Sequence, residues 1–211
     1  MTNKITVTQA LTEVKKLDKQ ISKLSQAGGF IGAYTNGKLP AGFSSKEQLV
    51  AEVTGNLQRI DALMARRANI KAKITESNAK TPVVVGKITM TVAEAIERKD
   101  SIQLSVDLMG VLKKELATTQ KAQDDFNRRI QQDIDTKVTQ ILGNVKKVDA
   151  NDDTYKMIKE QVEKANTFTL VDPNNLRVVI QKLEDQIEDF KLNVDVALSI
   201  VNATTFIELA E

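Results

Sequence analysis

The chain contains no cysteine, no histidine and no tryptophan in 211 residues. Without thiols or imidazoles it cannot form a disulfide, a Cys nucleophile, a Ser-His-Asp triad, a haem His ligand or a zinc site of the usual ligands. Proline occurs 3 times and glycine 9 times, too rarely for a sandwich or barrel that turns every dozen residues. Aromatics are scarce, with 6 Phe and 2 Tyr. No stretch approaches the roughly 18 uncharged apolar residues that span a bilayer, and the start, Met1 to Val7, has no apolar core of signal-peptide length. The expectation is a soluble protein made in the cytosol. Neither sign of charge dominates: 30 Lys and Arg stand against 28 Asp and Glu, which argues against a dedicated binder of nucleic acid.

What the sequence does have is apolar residues at helical spacing. A first stripe runs from about Gln9 to Ser25 through Leu11, Val14, Leu17, Ile21 and Leu24. It ends in a Gly-rich loop, residues 27–43, of a length that compact domains rarely carry without reason. Ser44 and Glu47 have the spacing of a capping box, predicting a second helix to about Ser77. Its seam is Val53, Leu57, Ile60, Met64, Ile70 and Ile74, interrupted by Arg67. Thr91 and Glu94 predict another box, opening a pattern through Val92, Ile96, Ile102, Val106, Met109, Leu112 and Leu116. Nothing in the polar stretch Thr118 to Asp125 breaks a helix, and the stripe resumes from Phe126 to Val148, so one very long helix or two in series fit equally. A short helix follows with Tyr155, Ile158 and Val162. Asp172 as cap and Pro173 at the first helical position predict a terminal helix over 173–202. Its seam, Leu176, Ile180, Leu183, Ile187, Phe190, Val194, Ala197 and Val201, steps by four and three, the heptad period of a helix packed along a partner.

Two segments echo each other. Lys4-Ile5-Thr6-Val7-Thr8 and Lys87-Ile88-Thr89-Met90-Thr91 alternate like strands, and each precedes a helix. With Thr167 to Val171 they can form a small two- or three-stranded sheet at one end of the helices, each strand running directly into a helix; alternatively they are extended lead-ins that never pair.

Three constellations come near to chemistry. Gly32 to Lys38 has the glycine and lysine spacing of a phosphate-binding loop, but Leu39 stands where a Ser or Thr hydroxyl is needed, and a helix, not a strand, precedes it. Asp149, Asn151, Asp153 and Glu160 match places in a calcium-binding loop, yet Thr154 occupies the position that needs Gly, so a cap at Asp152 or Asp153 is the simpler reading. Glu184, Asp185, Glu188 and Asp189 lie off the terminal seam, where charge mainly confers solubility. No catalytic, cofactor-binding or metal-binding residue is therefore assigned.

Other features point to a family. Asn78-Ala79-Lys80-Thr81-Pro82, Lys87-Ile88-Thr89-Met90-Thr91, Glu94-Ala95-Ile96-Glu97-Arg98-Lys99-Asp100, Thr169-Leu170-Val171-Asp172 and the end from Ile200 to Leu209 resemble the septicolysin-like family of small helical proteins. Gln9-Ala10-Leu11 fits as well. Segments 78–82 and 202–209 carry most of the likeness, and Ala203 stands where the family usually has Trp. The resemblance implies an antiparallel helical bundle or long hairpin that self-associates, with no established activity and with relatives in bacteria and phages.

Taken together, the expectation is an all-α fold: a long antiparallel helical bundle or coiled-coil hairpins with the small β element, as a single helical domain over residues 1–211. The expected function is non-enzymatic: a structural or interaction protein that forms a homo-oligomer or larger protein assembly, as in a phage virion or assembly component. No cofactor, nucleic acid, membrane or small-molecule substrate is expected. Leu183, Ile187, Phe190 and Val194 are candidates for core or interface, and Phe30, Tyr34 and Phe43 for a partner contact, unless the loop folds back over its own bundle. The rivals are an enzyme or ligand-binding protein using carboxylates, lysine or a phosphate site, and a membrane-surface, cytolysin-like module, whose helices need a basic polar face.

Overall fold

The structure, a computed structural model, describes residues 2–143 and 152–210. Its elements are β1 (Thr2–Thr6), α1 (Val7–Ala27), α2 (Lys46–Lys80), β2 (Pro82–Val85), β3 (Ile88–Thr91), α3 (Val92–Leu142), α4 (Asp153–Ala165), α5 (Leu176–Thr204) and β4 (Phe206–Ala210). The fold is mostly helical with a small β element, as the periodicity predicts. The chain divides into two compact units, one of residues Met1–Ser101 with Asp189–Glu211 and one of Ile102–Glu188.

In the first unit, α1 and α2 form an antiparallel hairpin around the buried Val7, Ala10, Val14, Leu17, Ile70 and Ile74. The direction shows in the polar contacts: Glu13 pairs with Arg66, whereas the Asn56 side chain reaches Gly29 at the end of α1. Arg67, which breaks the apolar seam of α2, is used for an ion pair with Asp18 of α1. Ile207 and Leu209 of β4 complete this core. The first helix begins earlier than expected because Thr6 and Gln9 form a capping box, the Gln9 amide N donating to Thr6 Oγ1 at 3.2 Å and the Thr6 amide N to Gln9 Oε1 at 2.9 Å. At α2 the cap is Ser45 rather than Ser44, its hydroxyl accepting from the Gln48 amide N at 3.1 Å while Gln48 Oε1 accepts from the Ser44 amide N. The expected box shifts by one residue because Ser44-Ser45 and Glu47-Gln48 offer two registers. The box at Thr91 and Glu94 forms as predicted, with Thr91 N donating to Glu94 Oε2 at 2.6 Å and Glu94 N to Thr91 Oγ1 at 3.2 Å.

The β element is two separate two-stranded sheets. β1 pairs antiparallel with β4, Thr2 opposite Ala210 and Thr6 opposite Phe206, which joins the two ends of the described chain. β2 and β3 form a hairpin with Val83 opposite Met90 and Val85 opposite Ile88. The echoed segments are thus strands that run straight into α1 and α3, but not with each other. Thr167 to Val171 is not a strand: only Phe168 in it turns inward, its ring 5.5 Å from that of Phe126, while Leu170 and Val171 stay exposed. Extended backbone is enough to produce the alternation there.

α3 is one continuous helix of 51 residues, about 77 Å at 1.5 Å per residue. The polar stretch Thr118 to Asp125 stays helical because it holds no Gly or Pro and has the good helix formers Gln120, Lys121, Ala122 and Gln123 at its centre. In the second unit Ile134 and Val138 of α3 pack with Ile158 and Val162 of α4, flanked by Ile130 and Tyr155. Lys113 of α3 pairs with Glu184 of α5 at 2.8 Å. The terminal helix starts at Leu176, not at Pro173: Asn175 adopts a positive φ of 51°, and the Asp172 carboxylate accepts from the Leu176 amide N at 3.0 Å. Asp172 therefore caps across a turn instead of at the adjacent position. Val145 and Val148 lie outside the described residues.

Candidate functional site

The loop between α1 and α2 leaves α1 through Gly28 and Gly29, both at positive φ. Two contacts lay it back on its own hairpin. Asn56 Nδ2 donates to the Gly29 carbonyl at 3.2 Å, and Gly32 lies against the buried Leu49, so close that a Cβ would come within 3.0 Å of that side chain. Leu24, Phe30, Ile31, Phe43, Leu49 and Val53 line a groove of about 520 Å³. Phe43 is half-buried, whereas Phe30 and Tyr34 remain on the surface and Ile31 is 89% exposed. The loop both packs down and presents apolar side chains.

The phosphate-loop spacing is occupied by a tight turn. Lys38 N donates to Thr35 O at 3.0 Å across Asn36 and Gly37, both at positive φ, the backbone of a type I′ hairpin turn. The next helix opens only at Lys46, so Lys38 is not at a helix N-terminus as a phosphate cradle requires. Of the calcium-loop pattern, Asp149 and Asn151 lie outside the described residues. Asp152 is the N-cap of α4, accepting from Thr154 N at 2.7 Å, and Glu160 pairs with Lys164. Among the described residues no three acidic side chains converge.

On α5 the expected seam turns inward. Ile187, Phe190 and Val194 are buried inside the chain, Leu183 is half-buried, and Arg98 lies over the Phe190 ring at 4.7 Å from its centre. Two of the acids expected mainly to confer solubility have partners. Glu184 holds Lys113, and Asp189 accepts from the Lys87 amide N at 3.3 Å in the turn of the β2–β3 hairpin. Gly86 beside it has φ +59°, and its missing side chain leaves the space that the Asp189 carboxylate fills. A lone glycine in a two-residue turn was the signal available; its partner, a hundred residues on in the chain, was not.

The apolar surface lies on lines that seam reading did not single out as exposed. Leu57 and Met64, assigned to the buried seam of α2, are about half exposed and align at heptad spacing with Val50. Leu192, Val196 and Ile200 of α5, all more than half exposed, step by four on a face distinct from the buried seam. Leu104, Leu108 and Val111 of α3 are 72%, 52% and 53% exposed, while Ile102, Val106, Met109 and Leu116 are half-buried on the other side, with the half-buried Leu112 between the two lines. A helix that is apolar on two opposite faces has material for two neighbours.

Among the described residues, the titratable groups with displaced pKa values are helix-end and surface glutamates. Glu94 is held below its usual value by the Thr91 amide and then the Thr91 hydroxyl, and Glu47 by its own backbone amide and then Ser45. Glu76 is lowered by hydrogen bonds from Lys80 and Lys73. Each of these displacements comes from capping or an ion pair, neither of which requires a ligand. No helix of the described residues is long and apolar enough to cross a membrane.

No family model, curated protein or solved structure matches the chain.

Proposed function

We propose that this is a non-enzymatic structural protein that packs against copies of itself, or into a larger protein assembly, through the outward apolar lines of its helices. The observation that carries the reading is the set of exposed Leu, Val and Ile residues at helical spacing on α2, α3 and α5. Scattered exposed hydrophobics are ordinary on a monomer, but ordered lines on several helices are the form a helix–helix interface takes. Burying such a line recovers roughly 25 cal/mol per Å² of apolar surface taken from water. The loop aromatics Phe30 and Tyr34, with Ile31 between them, add a further apolar contact surface for a partner.

The resemblance to the septicolysin-like family supports self-association, and its phage-encoded relatives support a role as a virion or assembly component made in the cytosol. The assembly reading is tested by the molar mass in solution, measured by light scattering from dilute protein to the highest soluble concentration at physiological salt. Rising mass with concentration supports it. A strict monomer over the whole range sinks it.

A further inference from the structure

One heptad apart along α3 stand Asp100, Asp107, Lys114 and Lys121, all exposed. The series inverts its charge about its own midpoint: two acids, then two lysines. None of the four makes an ion pair among the described residues, and Asp107 Oδ1 only accepts from Gln103 Nε2 at 2.8 Å. Beside the series lie Leu104, Leu108 and Val111, spaced by four and three and more than half exposed. If the charges are the g positions of a heptad, Leu104, Leu108 and Val111 fall at d, a and d, the core positions of a coiled coil.

We propose that two copies of the chain meet along α3, antiparallel and two-fold symmetric, an inference that rests on the self-assembly reading above and names its contact. When two helices run antiparallel with Leu108 of one opposite Val111 of the other, each g position faces a g position. Asp107 then lies opposite Lys114 of the second copy and Asp100 opposite Lys121 of the second copy, and symmetry repeats both pairs. A parallel arrangement sets g against e instead, where Ser105 and Leu112 offer no opposite charge. The charge order is thus self-complementary in one orientation only, which is what an isologous two-fold interface requires. Of the half-buried seam of α3, Ile102, Val106, Met109 and Leu116 lie on the other side of the helix and keep their own neighbours, while Leu112, at an e position, borders the contact.

The test uses two charge-uniform variants of the full chain, Asp100→Lys with Asp107→Lys, and Lys114→Glu with Lys121→Glu, alongside the wild type. Far-UV circular dichroism first checks that each keeps its helix content, which exposed helix positions tolerate. In sedimentation equilibrium each variant alone self-associates more weakly than wild type by about 50-fold, since four attractive juxtapositions become four repulsive ones of a few tenths of a kcal/mol each. Mixed in equal amounts, the two variants recover association as a hetero-pair. Wild-type association that neither double substitution weakens, or variants that do not pair on mixing, would overturn the α3 contact while leaving self-assembly standing. A wild type that stays monomeric overturns both. As a check on the apolar core of the contact, Leu108→Ser weakens the mixed pair as well; no effect there refutes the heptad assignment.

Discussion

Replacing Gly86 by alanine tests the packing of the β2–β3 hairpin against α5 more directly than any other single change. Two costs can be separated. The backbone at Gly86 has φ +59°, and an L-residue held in the left-handed region costs about 1–2 kcal/mol. The new methyl also falls on the Asp189 carboxylate. To make room, Asp189 must turn away from the Lys87 amide, a 3.3 Å bond at the surface, worth about 0.5–1 kcal/mol. The Gly86→Ala variant should therefore lose about 1.5–3 kcal/mol, and Asp189→Ala alone about 0.5–1 kcal/mol. In the Asp189→Ala background the obstruction is gone, so Gly86→Ala should cost about 1–2 kcal/mol, leaving the two sites coupled by roughly 0.5–1 kcal/mol. Urea unfolding of the four proteins, followed by circular dichroism, measures the cycle; in heating scans each kcal/mol appears as about 2–4 °C for a chain of this size. A Gly86→Ala protein as stable as wild type contradicts the turn geometry. An equal penalty with and without the Asp189 side chain keeps the backbone strain but refutes the contact.

Three further outcomes are expected. Ile70→Ala, which hollows the core shared by α1, α2 and β4, should cost about 3–4 kcal/mol, whereas Leu57→Ala on the same helix should stay within about 1 kcal/mol; equal losses would mean that the burial assignment on α2 is wrong. Val162→Ala should loosen the packing of α4 on α3 by about 2 kcal/mol, seen as an earlier unfolding transition in the fluorescence of Tyr155, which packs on that cluster; Tyr155→Phe serves as the blank for the signal of Tyr34. Because Glu94 is depressed in the folded state, its stabilising contribution is complete above the usual value of 4.5 and disappears as pH falls through the lower folded value. Glu94→Gln keeps an acceptor for the Thr91 amide, so its melting temperature should follow pH less steeply than wild type below that point; parallel curves would show that the capping carboxylate carries no pH dependence.

Much of the helical framework was legible because it rests on interactions between residues three or four apart. The Thr91–Glu94 box, the inward seam of α5 from Ile180 to Val194, and the helix of Tyr155, Ile158 and Val162 all follow from local spacing. The shift of the second cap to Ser45 and the late start of α5 at Leu176 show the limit of that reading: neighbouring serines or an Asp-Pro-Asn-Asn run permit more than one local solution, and the chosen one depends on where the rest of the helix packs. The candidate contact residues divide in the same way. Ile187, Phe190 and Val194 were recognisable as a seam, but periodicity does not say whether the covering partner belongs to the same chain. Phe30 and Tyr34 sit in a loop with no period at all, and their exposure follows from how Gly29 and Gly32 fold onto Asn56 and Leu49.

Local residue order is enough for the class of the protein: amphipathic helices punctuated by caps, strand-like lead-ins before two of them, and no imidazole or thiol for the chemistry those groups serve. Tertiary structure alone decided that β1 pairs with β4 from the far end of the described chain, that β3 folds on β2, that Asp189 seats a hairpin turn, and that Leu104, Leu108 and Val111 are left in water. The division has one cause. Helix formation and capping are settled by neighbours a turn away, whereas strand pairing and burial depend on which distant surfaces meet, and residue type records only that a side chain is able to pack, not what it meets.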